Sequence, residues 1–227
     1  MLKNTFCRLP GNRSQWKQVV HINEGIPMKK LILVDPNAEL CKEWRKKFKG
    51  LPNVMIVNDR FENLGQFDCM VSAANSFGIM DGGVDLAIIS FFGIELMDRV
   101  QAMVIDEFFG EQPIGTSVIV ETGHPRHPYI AHTPTMRVPM SIVSTDNVYT
   151  AMWALLVAIA QHNKREAHKI DIVACPGLGT ATGQMPVAEA SRQMAAAYRW
   201  FLNQPSMISW PYAQARQATI GRGGDRD

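Results

Sequence analysis

Apolar residues fall along this chain in short blocks that alternate with longer amphipathic stretches. Leu31, Ile32, Leu33 and Val34 form an unbroken apolar run, as a strand buried on both faces does. Asp35, Pro36 and Asn37 follow, and the sequence predicts a helix from there to about Phe48, with Pro36 in its first turn and a stop at Gly50. Further strands are predicted at 53–57, 68–73, 117–121, 129–133 and 170–175. Helices are predicted from about Val84 to Phe109 with a break near Gly93, over 147–163, and over 187–202. The last has Pro186 at its start and an apolar face of Ala190, Met194, Ala197 and Phe201. Gly123, His124, Pro125, Arg126, His127 and Pro128 fit a hairpin turn between two of the strands. Strands that alternate with helices predict a three-layer α/β fold, with ligands bound beyond the carboxyl ends of the strands.

Two strands end in loops of the same design. The run from Val71 to Ala74 leads through Asn75 and a glycine-rich segment, Asp81, Gly82, Gly83, into a helix that opens with Val84 and Asp85. Downstream, the strand ending at Cys175 leads through Pro176, Gly177, Leu178, Gly179, Thr180, Ala181, Thr182 and Gly183 toward the helix after Pro186. Free N–H groups at a helix start attract an anion, and glycine lets a ligand approach the backbone. Two such loops together read as a clamp for a diphosphate.

These residues resemble the macro domain family, an ADP-ribose-binding module. Ser72, Ala73, Ala74 and Asn75 followed by Asp81, Gly82, Gly83, Val84 and Asp85 match the family's N-A-A-N strand end and G-G-G-V-D run. Val57, Asn58, Asp59, Arg60 and Phe61 stand where the family has G-D-I-T, and 129–133 is similar to the strand before its I-H-T segment. The likeness runs from about Met55 to Leu202. It implies an α/β/α macro-domain-like mixed sheet over 28–203; the mixed polar residues of 1–27 with the short apolar run Val19, Val20, His21 and Ile22 read as an arm or edge strand, and 204–227, rich in Gly, Arg and Asp, as a flexible tail.

The resemblance also implies roles. Asp59 would face the adenine, with Arg60 beside it, and Asn75 would meet the distal ribose. Gly82, Gly83 and Val84 would line one side of the pyrophosphate, and Gly177, Gly179, Thr180, Ala181 and Gly183 would close the other. Asp85 and Asn75 are the catalytic candidates if the chain is a hydrolase, with Asp85 orienting a water at the distal ribose. Helix-dipole stabilisation is the plainer role for an Asp there. The chain departs from the pattern at Ser72, Asp81, Leu86 and Ile89, and in the second loop. Gln184 and Met185 lie where an aromatic often covers the ribose, and Phe77 is a candidate replacement. These departures favour a binding module that senses or sequesters a nucleotide without turnover, or a variant ligand. A Rossmann-type nucleotide-dependent transferase is the third reading. Asp35 closes a strand as a ribose-holding carboxylate would, but no G-x-G-x-x-G precedes it and no G-x-x-x-x-G-K-[ST] loop occurs.

Composition adds limits. Net charge of +2 does not point to a nucleic-acid binder, so nucleic acid enters only as a modified substrate. Lys42, Arg45, Lys46, Lys47 and Lys49 crowd one helix; a solvated face is favoured over a docking face for an anionic partner. Cys7, Cys41, Cys69 and Cys175 lack metal-ligand spacing, and the six histidines form no ligand pairs with them, so neither a metal nor a cofactor is expected. His132 and His124 receive no role. With no signal-peptide pattern and no apolar run of membrane-spanning length, the expectation is a soluble cytoplasmic protein with no membrane partner.

Overall fold

The structure, a computed structural model, describes residues 28–221. Strand β1 (Lys30–Val34) leads into helix α1 (Ala38–Lys47), β2 (Val54–Val57) and β3 (Cys69–Ser72). Helices α2 (Gly83–Phe92) and α3 (Glu95–Phe108) precede the hairpin of β4 (Val118–Glu121) and β5 (Tyr129–His132). Then come α4 (Asn147–Arg165), β6 (Ile172–Cys175), α5 (Val187–Leu202) and α6 (Trp210–Gly221). The sheet order is β2-β1-β6-β3-β5-β4, parallel except for the edge pair β4–β5.

Side-chain alternation on the strands builds the three layers. Leu31, Leu33, Val71, Val173 and Cys175 pack with α1, α4 and α5 on one face. Ile32, Val34, Met70, Ala174 and Ile130 pack with α2 and α3 on the other. The α/β/α mixed sheet that the sequence implied is therefore the observed one. The β1–α1–β2 unit belongs to that sheet, with β1 between β2 and β6.

Asn37 caps α1, accepting from the N–H groups of Glu39 and Leu40. Pro36 thus precedes the cap instead of occupying the first turn, because Asn37 supplies the oxygen those N–H groups need. Leu40, Cys41, Trp44 and Phe48 face the core, which leaves Lys42, Arg45 and Lys49 exposed, while Lys46 pairs with Glu43. Gly93, at φ 103, breaks the α2–α3 segment where the sequence expected it.

The tail differs from expectation. Residues 204–227 read as flexible, yet Trp210–Gly221 is helical. Its own face buries little; long-range contacts hold it. The Arg216 guanidinium lies 3.7 Å from the Trp153 ring centroid and donates to the Tyr149 hydroxyl at 2.6 Å. Arg192 donates to the carbonyls of Thr219 and Ile220 at the helix end. The expected arm or edge strand over residues 1–27, with Cys7 and His21, lies outside the described residues.

Candidate functional site

The carboxyl ends of β1, β3 and β6 open on one cavity of about 380 Å³. Its walls include Arg60, Asn75, Gly82, Gly83, Val84, Asp85, Gly177, Gly179, Thr180, Ala181 and Gly183, so the two glycine-rich loops about 100 residues apart in sequence do meet. Asp81 lines it too.

Asp59 does not. Its carboxylate turns to its own segment, accepting from the Arg60 N–H and from Asn63 Nδ2, each at 2.7 Å, and braces the 3-10 turn Phe61–Asn63. The Asn63 bond, then the Arg60 N–H, holds its pKa below the usual carboxylate value. Asp35, at the end of β1, does line the wall. Oδ1 accepts from Asn37 N at 2.9 Å and Oδ2 from Gly177 N at 3.2 Å, so one N–H of the second loop is committed to a protein acid. The visible signal for Asp35 was an acid closing a buried strand. Phe61, Glu62, Thr135, Met136 and Pro139 complete walls that sequence spacing did not mark. The aromatic in the lining is Phe61, not Phe77.

Asn75 lines the cavity but spends its side chain locally. Its Oδ1 accepts from Phe77 N at 3.0 Å and Ile79 N at 3.3 Å, and its Nδ2 donates to Ile79 O at 2.7 Å. It shapes the first loop as an Asx turn does. Gly83, the first residue of α2, has φ 56, a conformation that favours glycine. In the second loop, a Cβ on Gly183 would stand 2.5 Å from the Gly179 carbonyl oxygen and 2.9 Å from Ile142 Cγ1.

Asp85 is the unusual group. It sits in the first turn of α2, only 6% exposed, and one carboxylate oxygen accepts from the hydroxyl of the fully buried Ser72 at 2.7 Å. Burial pushes its pKa up to about 6, and the Ser72 bond opposes that rise. Among the described residues, the lining thus carries four carboxylates, Asp35, Glu62, Asp81 and Asp85, against the single cation Arg60. Helix-start N–H groups at Gly82, Gly83 and Val84 supply the remaining positive potential. What the arrangement offers chemically is a backbone-lined slot for an anion with a proton acceptor, close to neutrality, in its wall.

His132 faces the core. Its Nδ1 bonds Gln112 Oε1 at 2.6 Å, and burial lowers its pKa to about 4, so it is neutral. His124 and His127 stack on each other, and His127 on Phe67, at the hairpin. Among the described residues, no group of three or more His, Cys, Asp and Glu could hold a metal, and no helix is long and apolar enough to cross a membrane.

The sequence profile of the macro domain family matches residues 71–194, more than half of the chain and both loops. The chain belongs to the macro domain family. An uncharacterized protein of Aquifex aeolicus is 33% identical over 135 residues, 59% of this chain and 74% of that protein. One of Aeropyrum pernix is 29% identical over 133 residues, 57% of this chain and 62% of that protein. Among solved structures, the Oceanobacillus iheyensis macrodomain with MES bound superposes with a TM-score of 0.53 at 19% identity, over 72% of this chain and 88% of that one. The Trypanosoma brucei macrodomain in complex with ADP-ribose gives 0.51 at 15%, over 88% and 71%. At these identities the structural likeness concerns the fold. In this macro domain the β1 wall, with Asp35, lies outside the profile match.

Proposed function

We propose that the cavity binds ADP-ribose or a related ADP-ribosyl nucleotide, and that the protein hydrolyses the bond joining the distal ribose to a modified group. One observation carries the reading: a buried Asp85 in the wall of a slot that two glycine-rich loops enclose. The slot suits a diphosphate held by backbone N–H groups over β6 and α2. Nucleoside and distal ribose then lie to either side, near Phe61 and near Asp85. In the chemical step a water oxygen bonds to the anomeric carbon as the bond to the modified group breaks. Asp85 takes the proton from that water, and the departing group leaves with a proton from solvent. Free, buried Cys41, Cys69 and Cys175 support a reducing, cytoplasmic setting.

A sensor without turnover is the second reading, favoured by Asn75, whose polar atoms serve its own loop. Calorimetric titration with ADP-ribose tests the binding common to both; Arg60→Ala should weaken it. Release of ADP-ribose from a mono-ADP-ribosylated protein separates them: Asp85→Asn should abolish release and leave binding intact. Wild-type protein that shows no saturable binding rules out both readings.

A further inference from the structure

Strand β3 places Met70 and Ser72 on the face that packs against α2 and α3. Met70 joins the apolar layer there with Met80, Ile88 and Ile89. Ser72 continues the same row, is fully buried, and yet carries a hydroxyl. That hydroxyl donates to one oxygen of Asp85 at 2.7 Å. The other oxygen accepts no hydrogen bond from the described residues, and Asp85 lines the cavity. Apolar side chains of the same shape can replace a buried hydrogen-bonded pair at little or no cost in stability. The pair therefore needs a reason other than packing.

We propose that Ser72 is a positioning residue for the reaction centre: its hydroxyl, delivered from β3, fixes one oxygen of Asp85 so that the other faces the cavity as an ionised proton acceptor. The inference rests on the reading of the cavity as an ADP-ribosyl hydrolase site. The charges lining the same cavity, Asp35, Arg60, Glu62 and Asp81, leave the protonation of Asp85 to burial, which raises its pKa, and to Ser72, which lowers it. Ser72 is thus the side chain whose hydrogen bond favours the ionised carboxylate, beside the positive start of α2. It touches neither ligand nor water in this role and acts through Asp85.

The test is a carbon-detected NMR titration of the Asp85 carboxyl in wild type, Ser72→Ala and Ser72→Thr, beside the pH profile of ADP-ribose release. Losing a hydrogen bond to an ionised group should raise the Asp85 midpoint in Ser72→Ala by about one pH unit. The acidic limb of kcat should move with it, about fivefold slower at pH 6, with KM little changed. Ser72→Thr, which keeps the hydroxyl, should restore both. Should Ser72→Ala not fold, Ser72→Cys keeps the volume, lacks a strong donor, and should shift the midpoint likewise. A midpoint that stays put in a folded Ala or Cys variant overturns the proposal. Wild type that binds ADP-ribose but never releases it from a modified protein refutes the hydrolase reading and the catalytic half of the proposal. The titration then still decides whether Ser72 governs Asp85.

Discussion

Replacing Asp85 with Asn should make this macro domain more stable at neutral pH while silencing it. The folded pKa of about 6 lies above the ordinary 3.8, so the folded state holds the Asp85 proton more tightly than the unfolded chain. Its contribution is therefore most favourable below about pH 4, is lost as pH rises toward 6, and is flat above that. Across that window the loss is roughly 1.4 kcal/mol per pH unit, or about 3 kcal/mol in all. The amide of Asp85→Asn keeps an oxygen for the Ser72 hydroxyl and never ionises. The variant should thus exceed wild type by up to about 3 kcal/mol at pH 8, which for a chain of this size is a rise in Tm of about 6–12 °C. His132 acts in the opposite direction. Its pKa is lowered to about 4 from 6.5, so stability from its neutral form is lost as pH falls through that range. Its contribution is common to both proteins and cancels in their difference. Urea unfolding at half-unit steps from about pH 4.5 to 8 gives that difference directly. A stability difference that does not vary with pH, or an Asn variant less stable at pH 8, refutes the account of a carboxylate strained by burial.

Three more outcomes follow from the geometry. Gly183→Ala drives a Cβ to 2.5 Å from a backbone oxygen and should cost about 1–3 kcal/mol, whereas Gly82→Ala, with open space around it, should be nearly neutral; equal urea midpoints would contradict this. Arg216→Ala should speed hydrogen exchange across Trp210–Gly221 and cost about 1 kcal/mol or less globally, since it removes the stacking on Trp153 and the bond to the Tyr149 hydroxyl but leaves the Arg192 bonds to Thr219 and Ile220; unchanged exchange would show that those other contacts suffice. Cys41, Cys69 and Cys175 are buried, with burial as the main cause of their raised pKa values, so in a Cys7→Ser background a thiol reagent at pH 8 should reach them only after urea is added; prompt labelling of that native variant would count against the core as described.

Local pattern alone determined most of the elements. Continuous apolar runs marked β1, β3 and β6, the spacing of Ala190, Met194, Ala197 and Phe201 marked α5, and Gly93 marked the break before α3. The glycine loops were legible for the same reason: a glycine required by backbone conformation or close approach is a property of its own short segment. What pattern could not supply was the meeting of distant segments. Asp59 and Asp35 both follow apolar strands, and nothing in their neighbourhoods says that Asn63 and the Arg60 N–H turn one aside while Gly177 draws the other to the wall. The same limit applies to Asn75, whose bonds to Phe77 and Ile79 become visible only in the path of its loop. Helix α6 looked loose because its anchors, Trp153, Tyr149 and Arg192, lie on other helices.

Ser72 shows the division most clearly. In the sequence it is one altered letter of a motif; in the fold it sits beneath the first turn of α2, 13 residues on, and faces Asp85. A sequence states which groups a chain owns and the period with which each element turns them. Only packing of the elements sets which groups share low-dielectric space, and there burial and a single hydrogen bond decide the charge of a carboxylate.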